Sequence, residues 1–208
     1  MKLIVITPET FIDKESFFCT KMLENGLECL HVRKPKTSIE AVRNYIKEIP
    51  NEFHHKLVIH QHHNLVDEFK LKGIHLTSNF RTKSRFWNEK TYVAAAKAKG
   101  LTVSTSIHST VELRMVNLNY DYCFLSPVFD SISKSGYTGR LEEFKDLGTL
   151  KNMQTKVFAL GGIELENVGM LVELPFDGIA VLGYIWNLGD SFENFQKMKF
   201  KVRELNLG

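Results

Sequence analysis

Apolar positions along this chain alternate between two spacings. Short β-branched runs read as strands, and longer stretches with apolar positions three to four apart read as amphipathic helices. Leu3–Thr7 is expected as the first strand, followed by a helix over Lys14–Asn25 that stops at Gly26. The second strand is Leu27–Val32, and Ser38 caps a helix that fades before Pro50. Lys56–His60 is the third strand, with a helix over Asn64–Lys72 ending at Gly73. Ile74–Leu76 is a short fourth strand, and the alanine-rich Tyr92–Lys99 lies in a helix that stops at Gly100. Thr102–Ile107 is the fifth, with Ser109 capping Thr110–Val116. Asp121–Leu125 is the sixth, and a polar loop from Ser126 to Arg140 leads to a helix over Glu142–Asn152. Lys156–Leu160 and Asp177–Leu182 are the last two strands, followed by helices over Glu164–Leu174 and Ser191–Leu205.

Eight strand–helix units with almost nothing left over predict a closed (β/α)8 TIM barrel, one α/β domain over residues 1–208. An open doubly wound sheet fits less well, because no Gly-x-Gly-x-x-Gly follows the first strand. At 208 residues the chain is long enough for one sizeable core and short for two. A net charge of +3 and 43% apolar residues describe an ordinary globule. No basic tail or stacked aromatic run suits nucleic acid, whereas the mild positive balance suits an anionic metabolite. Met1–Pro8 is too short an apolar stretch for a signal peptide or membrane span. Cys19, Cys29 and Cys123 are widely separated and in no metal-like spacing, and read as buried thiols of a reducing cytoplasm.

Chemistry in such a barrel gathers at the C-terminal strand ends. The seventh strand runs into Gly161-Gly162-Ile163 and the eighth into Leu182-Gly183. In tandem, at the last two strands, these turns read as a cup whose backbone N–H groups close on a phosphate, helped by a helix N-terminus. Alternation puts Cys29, His31 and Arg33 on one inward face of the second strand, and Ser104, Ser106 and His108 on one face of the fifth. Polar groups buried there need partners, and a ligand or its water is expected to supply them. The histidines at 54, 55, 60, 62 and 63 match no zinc spacing, so no metal is expected from them. Lys134 lies in a Ser/Gly-rich loop, where a solvated lysine and a ligand contact are both open.

With these residues in view, the chain resembles the thiamine phosphate synthase / thiazole tautomerase (ThiE/TenI) family over nearly its whole length. The resemblance is carried by Gly73-Ile74-His75-Leu76, by Ser104-Thr105-Ser106-Ile107-His108-Ser109 and by Ser126-Pro127-Val128-Phe129-Asp130-Ser131-Ile132-Ser133-Lys134. Ala159–Ile163 followed by Asn167, and Asp177–Ile185, complete it. It implies a (β/α)8 barrel in which Gly161, Gly162, Leu182 and Gly183 hold a thiazole phosphate, and Ser131 and Ser133 touch the thiazole side. It also implies that Lys134, Arg33 and Ser106 stand where the synthases grip pyrophosphate, and His31, His60 and His75 where they contact the pyrimidine ring.

Departures from the family pattern carry their own implication. The Asn-Asp after the third strand, whose aspartate binds Mg²⁺ in the synthases, is His60-Gln61 here. Their second aspartate, after the fourth strand, falls within Thr77-Ser78-Asn79-Phe80, and the lysine two places after the arginine is Pro35. Loss of two carboxylates and a cation points away from efficient pyrophosphate release. The thiazole phosphate half and His108 are retained, which resembles the tautomerase branch, with His108 as general acid/base and no cofactor. An imidazole ordinarily titrates near about pH 6.5, which suits that role. A Mg²⁺-dependent synthase and a non-catalytic thiamine phosphate-binding regulator are the alternatives. The expected partners are these small phosphates and no nucleic acid or membrane, with a homo-oligomer compatible.

Overall fold

A computed structural model describes residues 1–82, 88–115, 120–130, 139, 141–144, 155–187 and 189–206. Eight parallel strands close in chain order: β1 (Lys2–Ile6), β2 (Leu30–Val32), β3 (Leu57–Ile59), β4 (Gly73–Leu76), β5 (Thr102–Ile107), β6 (Tyr122–Leu125), β7 (Lys156–Leu160) and β8 (Gly178–Val181). β8 pairs back on β1, with Ile4 opposite Ala180, so no strand edge is left open. The single (β/α)8 barrel expected from the alternation is the fold observed.

Helices α1 (Glu15–Glu24), α2 (Ile39–Lys47), α3 (Leu65–Phe69), α4 (Ser78–Thr82) and α5 (Glu89–Ala98) cover the first half. α6 (Thr110–Met115), α7 (Leu141–Phe144), α8 (Gly183–Trp186) and α9 (Ser191–Leu205) cover the second. The pleat sorts side chains into two cores. Leu30, Val32, Ile59, Ile74, Val103 and Val157 point outward against Met22, Ile46, Leu113 and Phe195 of the helices. Ile4, Ile6, Cys29, Val58, Tyr122, Phe124, Phe158 and Ala180 fill the barrel itself. Ser38 caps α2 through the Ala41 N–H at 3.3 Å, and Ser109 caps α6 through the Glu112 N–H at 3.0 Å.

Several expected elements are shorter. β2 begins at Leu30 rather than Leu27, and α3 stops at Phe69 because Lys70 turns into the left-handed region at φ 53°. The expected helix over Glu164–Leu174 is only a 3-10 turn over Val168–Leu171. There the Asn167 side chain accepts from the Glu164 N–H at 2.9 Å and donates to the Gly162 carbonyl at 2.7 Å. Those local bonds hold the segment in a loop before a helix can start. Of the helix expected over Glu142–Asn152 only the first residues, in α7, lie within the described set. Among the described residues no helix is long and apolar enough to cross a membrane.

Candidate active site

His108 follows the end of β5 at the barrel mouth and is exposed. Its Nδ1 lies 3.2 Å from the Ser126 carbonyl oxygen and 3.3 Å from the Ser126 hydroxyl; the carbonyl only accepts, which favours the tautomer with the proton on Nδ1. In that tautomer Nε2 accepts, 3.2 Å from the Ser78 hydroxyl. The backbone behind the ring is fixed as well. The His108 N–H donates to Glu112 at 2.9 Å, and Arg81 donates to both Glu112 and the Ser106 carbonyl at 2.8 Å. Partial burial would raise the Glu112 carboxyl, but Arg81 and the His108 N–H hold it below its ordinary value. Ser78, Arg81, Glu112 and Ser126 are site residues that sequence reasoning missed. Glu112 had a signal, since Ser109-x-x-Glu112 has the pattern of a capping box. Ser78 and Arg81 had none, because the short α4 that presents them is not evident from periodicity.

Across the barrel the inward-facing residues satisfy one another. His31 Nδ1 pairs with His60 Nε2 at 2.9 Å, and His31 Nε2 with the Tyr122 hydroxyl at 2.6 Å. His75 lies between Ser104 and Ser106, each hydroxyl 2.9 Å from a ring nitrogen. The partners expected from a ligand are therefore supplied by the barrel wall for His31 and His75, whereas His60 Nδ1 is buried with no hydrogen-bond partner among the described residues. Burial holds all three rings neutral, pushing His31 down to about 3 and His60 and His75 well below the ordinary histidine range. The three bring ring nitrogens within 4.8 Å of one another. Yet His60 stacks on His75 with centroids 4.2 Å apart and planes 26° apart. An ion in the plane of one ring then lies well out of the plane of the other, so this arrangement is a packed hydrogen-bonded cluster rather than a chelate.

The neighbouring histidines scatter. His54 donates to carbonyls at the end of α2, His62 to the Thr37 carbonyl and His63 to the His60 carbonyl, while His55 is exposed. At the β2 end, Arg33 pairs with Glu9 at 2.7 Å. Lys34, the next residue, is fully buried. Its ammonium holds Glu15, the Pro8 carbonyl and the Thr10 carbonyl, at 2.8, 2.8 and 3.2 Å, beneath the Phe11 ring. Desolvation lowers the Lys34 ammonium and the Glu15 carboxylate opposes that. Through its bonds to Pro8, Thr10 and Glu15 the ammonium clamps the β1–α1 loop to the end of β2.

The Mg²⁺ implied by the family finds poor donors at the β3 and β4 ends. The Gln61 side-chain oxygen accepts from the Lys34 N–H at 2.9 Å, and Thr77, Ser78 and Asn79 are neutral. The nearest acidic residues in sequence, Asp67 and Glu68, pair with Lys99 and Arg43 on the outer helices. A hard divalent ion needs charged oxygens, and this donor set does not fit it.

On the opposite rim Gly161 and Gly162 adopt φ 103° and 62°. A Cβ on Gly162 would overlap the Asp130 carbonyl, because residues 128 and 129 bond back to Leu160 and Gly161 at 3.0 and 3.1 Å. Loop packing therefore demands glycine here independently of any ligand. Gly183, the first residue of α8, is different: a Cβ there meets only Asn187, at 3.4 Å. Gly161, Gly162, Leu182 and Gly183 are all partly open to solvent at the mouth. Ser131, Ser133 and Lys134 lie outside the described residues.

Residues 3–185 match the sequence profile of the TMP-TENI family, described as thiamine monophosphate synthase. A protein of Flavobacterium psychrophilum named thiamine-phosphate synthase is 26% identical over 214 residues, spanning 97% of this chain and 98% of that one. The crystal structure of a thiamine phosphate pyrophosphorylase from Bacteroides thetaiotaomicron is 33% identical with a TM-score of 0.77, covering 98% of each chain. A thiamine phosphate pyrophosphorylase structure from Pyrococcus furiosus has a TM-score of 0.76 at 20% identity, over 98% of this chain and 96% of that one, a likeness of fold alone. A profile matched across most of the chain, with a relative above 30% identity over nearly its whole length, establishes that this chain belongs to the thiamine monophosphate synthase (TMP-TENI) family.

Proposed function

We propose that this chain takes a thiazole phosphate as substrate and moves a proton on it, as a thiazole tautomerase with His108 as general acid and base. The observation that carries this reading is His108 itself: an exposed imidazole at the end of β5 with Nδ1 beside the Ser126 carbonyl and Nε2 beside the Ser78 hydroxyl. The phosphate is held at Gly161, Gly162, Leu182 and Gly183, which are partly open to solvent after β7 and β8 beside the start of α8. Nε2 removes the ring proton of the alkylidene tautomer, and the imidazolium returns a proton to the exocyclic carbon. The double bond shifts into the ring, which becomes aromatic, and no group leaves. The Ser126 carbonyl stabilises the imidazolium through Nδ1–H, and Glu112 with Arg81 keeps the strand end from shifting.

The names of the relatives support a second reading: synthase chemistry, joining hydroxymethylpyrimidine pyrophosphate to thiazole phosphate with release of pyrophosphate. Against it stand the neutral donors at the β3 and β4 ends and the self-paired histidines where the pyrimidine ring would lie. The test runs both substrates with and without Mg²⁺, beside a thiazole tautomer exchange assay. Tautomer conversion that persists in chelator, with no pyrophosphate released, supports the first reading. Mg²⁺-dependent pyrophosphate release at a catalytic rate replaces it with the second, and neither activity leaves a binding protein.

A further inference from the structure

The other end of the barrel, remote from His108, is also open. A cavity of about 450 Å³ enters between the N-terminal ends of the strands. Its inner lining includes Ile4, Cys29, Tyr122 and Phe158, the lowest side chains of the barrel interior. The small Cys29 leaves the space there: it is 7% exposed, whereas Cys19 and Cys123, which face the helices, are fully buried. The rim is set by the sequence. Lys2 and Lys156 open β1 and β7, Lys72 precedes β4, and Lys199 reaches in from α9.

Two acids also line the cavity, but both have cation partners outside it: Asp121 pairs with Lys97, and Glu28 with Lys56 at 3.5 Å. Lys72 and Lys199 donate to the Glu28 and Asn25 carbonyls, at 3.1 and 2.6 Å, which neutralise neither ammonium. Lys2 and Lys156 have no ion pair among the described residues. Four ammonium groups thus surround an aromatic and aliphatic floor, where low-dielectric walls concentrate their field. The volume lies within the range of ordinary small-molecule pockets.

From this we infer that the N-terminal end of the barrel is a second ligand site, distinct from the mouth, for an organic anion with a flat apolar body. The body lies against Phe158 and Tyr122, and the sulfonate, carboxylate or phosphate faces Lys2 and Lys156. A plain inorganic anion lacks the apolar half and binds weakly.

The probe is 1-anilinonaphthalene-8-sulfonate, titrated into the folded protein and followed by fluorescence. Saturable 1:1 binding is expected. The exposed pair Lys2→Glu and Lys156→Glu should weaken it by about tenfold or more, because each substitution turns attraction into repulsion at the rim. The same charge change at Lys47 and Lys90, exposed on α2 and α5, should leave it unchanged. Excess thiazole phosphate should not displace the probe. Absence of saturable binding, equal weakening by both double variants, or displacement by thiazole phosphate would overturn the inference. Each of these is read independently of whether tautomer exchange occurs.

Discussion

His60 and His108 stand at the ends of β3 and β5, and the fold uses them in opposite ways. His60 is 4% exposed, stacked on His75 and bonded to His31, and burial removes its proton well below neutrality. His108 is exposed, and its ring is oriented by oxygen atoms of Ser78 and Ser126. Availability for proton chemistry is therefore decided by the surroundings of a histidine, not by its position at a strand end. On the β2–β4 side of the barrel His31, His60 and His75 are packed and neutral, and Arg33 and Lys34 are ion-paired. On the β5–β8 side His108 is exposed, and Gly161, Gly162 and Gly183 are partly open to solvent.

Predictions that separate the two sides begin with His108→Asn. It should lower tautomer exchange by about 10²–10⁴-fold, the usual contribution of a positioned acid–base, while thiazole phosphate binding by calorimetry is kept. An equal loss in His60→Asn would erase the contrast between the two rings. Next, Lys34→Met removes one partner of a buried ion pair and leaves Glu15 uncompensated. Chemical denaturation should show a loss of about 3–5 kcal/mol, and a loss below about 1 kcal/mol would mean that the clamp is not structural.

The buried rings also fix the response to acid. His31, His60 and His75 have folded-state values below that of an unfolded histidine, so the unfolded chain binds more protons below about pH 6.5. Stability is thus fully present above that pH and falls as pH drops toward the folded values, about 3 for His31. Each ring contributes roughly 1 kcal/mol per pH unit in this window. Denaturation midpoints that agree at pH 7 and pH 5 would contradict a neutral cluster. The smallest contrast lies on the rim. Gly162→Ala, at φ 62° and against the Asp130 carbonyl, should cost about 1–3 kcal/mol, and Gly183→Ala well under 1 kcal/mol. Equal costs measured by thermal unfolding would remove the distinction between loop packing at one glycine and open space at the other.

Strand periodicity made the barrel legible, along with the inward direction of His31, Ser104 and Ser106, since alternation depends only on the pleat. Ser109 as the cap of α6 was legible too, because capping depends on a side chain and the backbone three residues on. Lys34 was not, because its burial depends on Glu15, Pro8 and Thr10, which lie 19 to 26 residues away and meet it only in the closed fold. The partners of the barrel histidines were hidden for a similar reason: Tyr122 lies 91 residues from His31 in the chain. The helix expected after β7 failed where one side chain, Asn167, outcompeted helical periodicity by bonding locally.

The claim at the centre of this account is that the mouth retains a phosphate grip beside His108 but no seat for a metal-bound diphosphate. Isothermal titration of the wild-type protein tests it most directly, with thiazole phosphate in chelator on one side and inorganic pyrophosphate plus Mg²⁺ on the other. Saturable heat from the first and none from the second is the predicted result. Mg²⁺–pyrophosphate binding as tight as thiazole phosphate would contradict it.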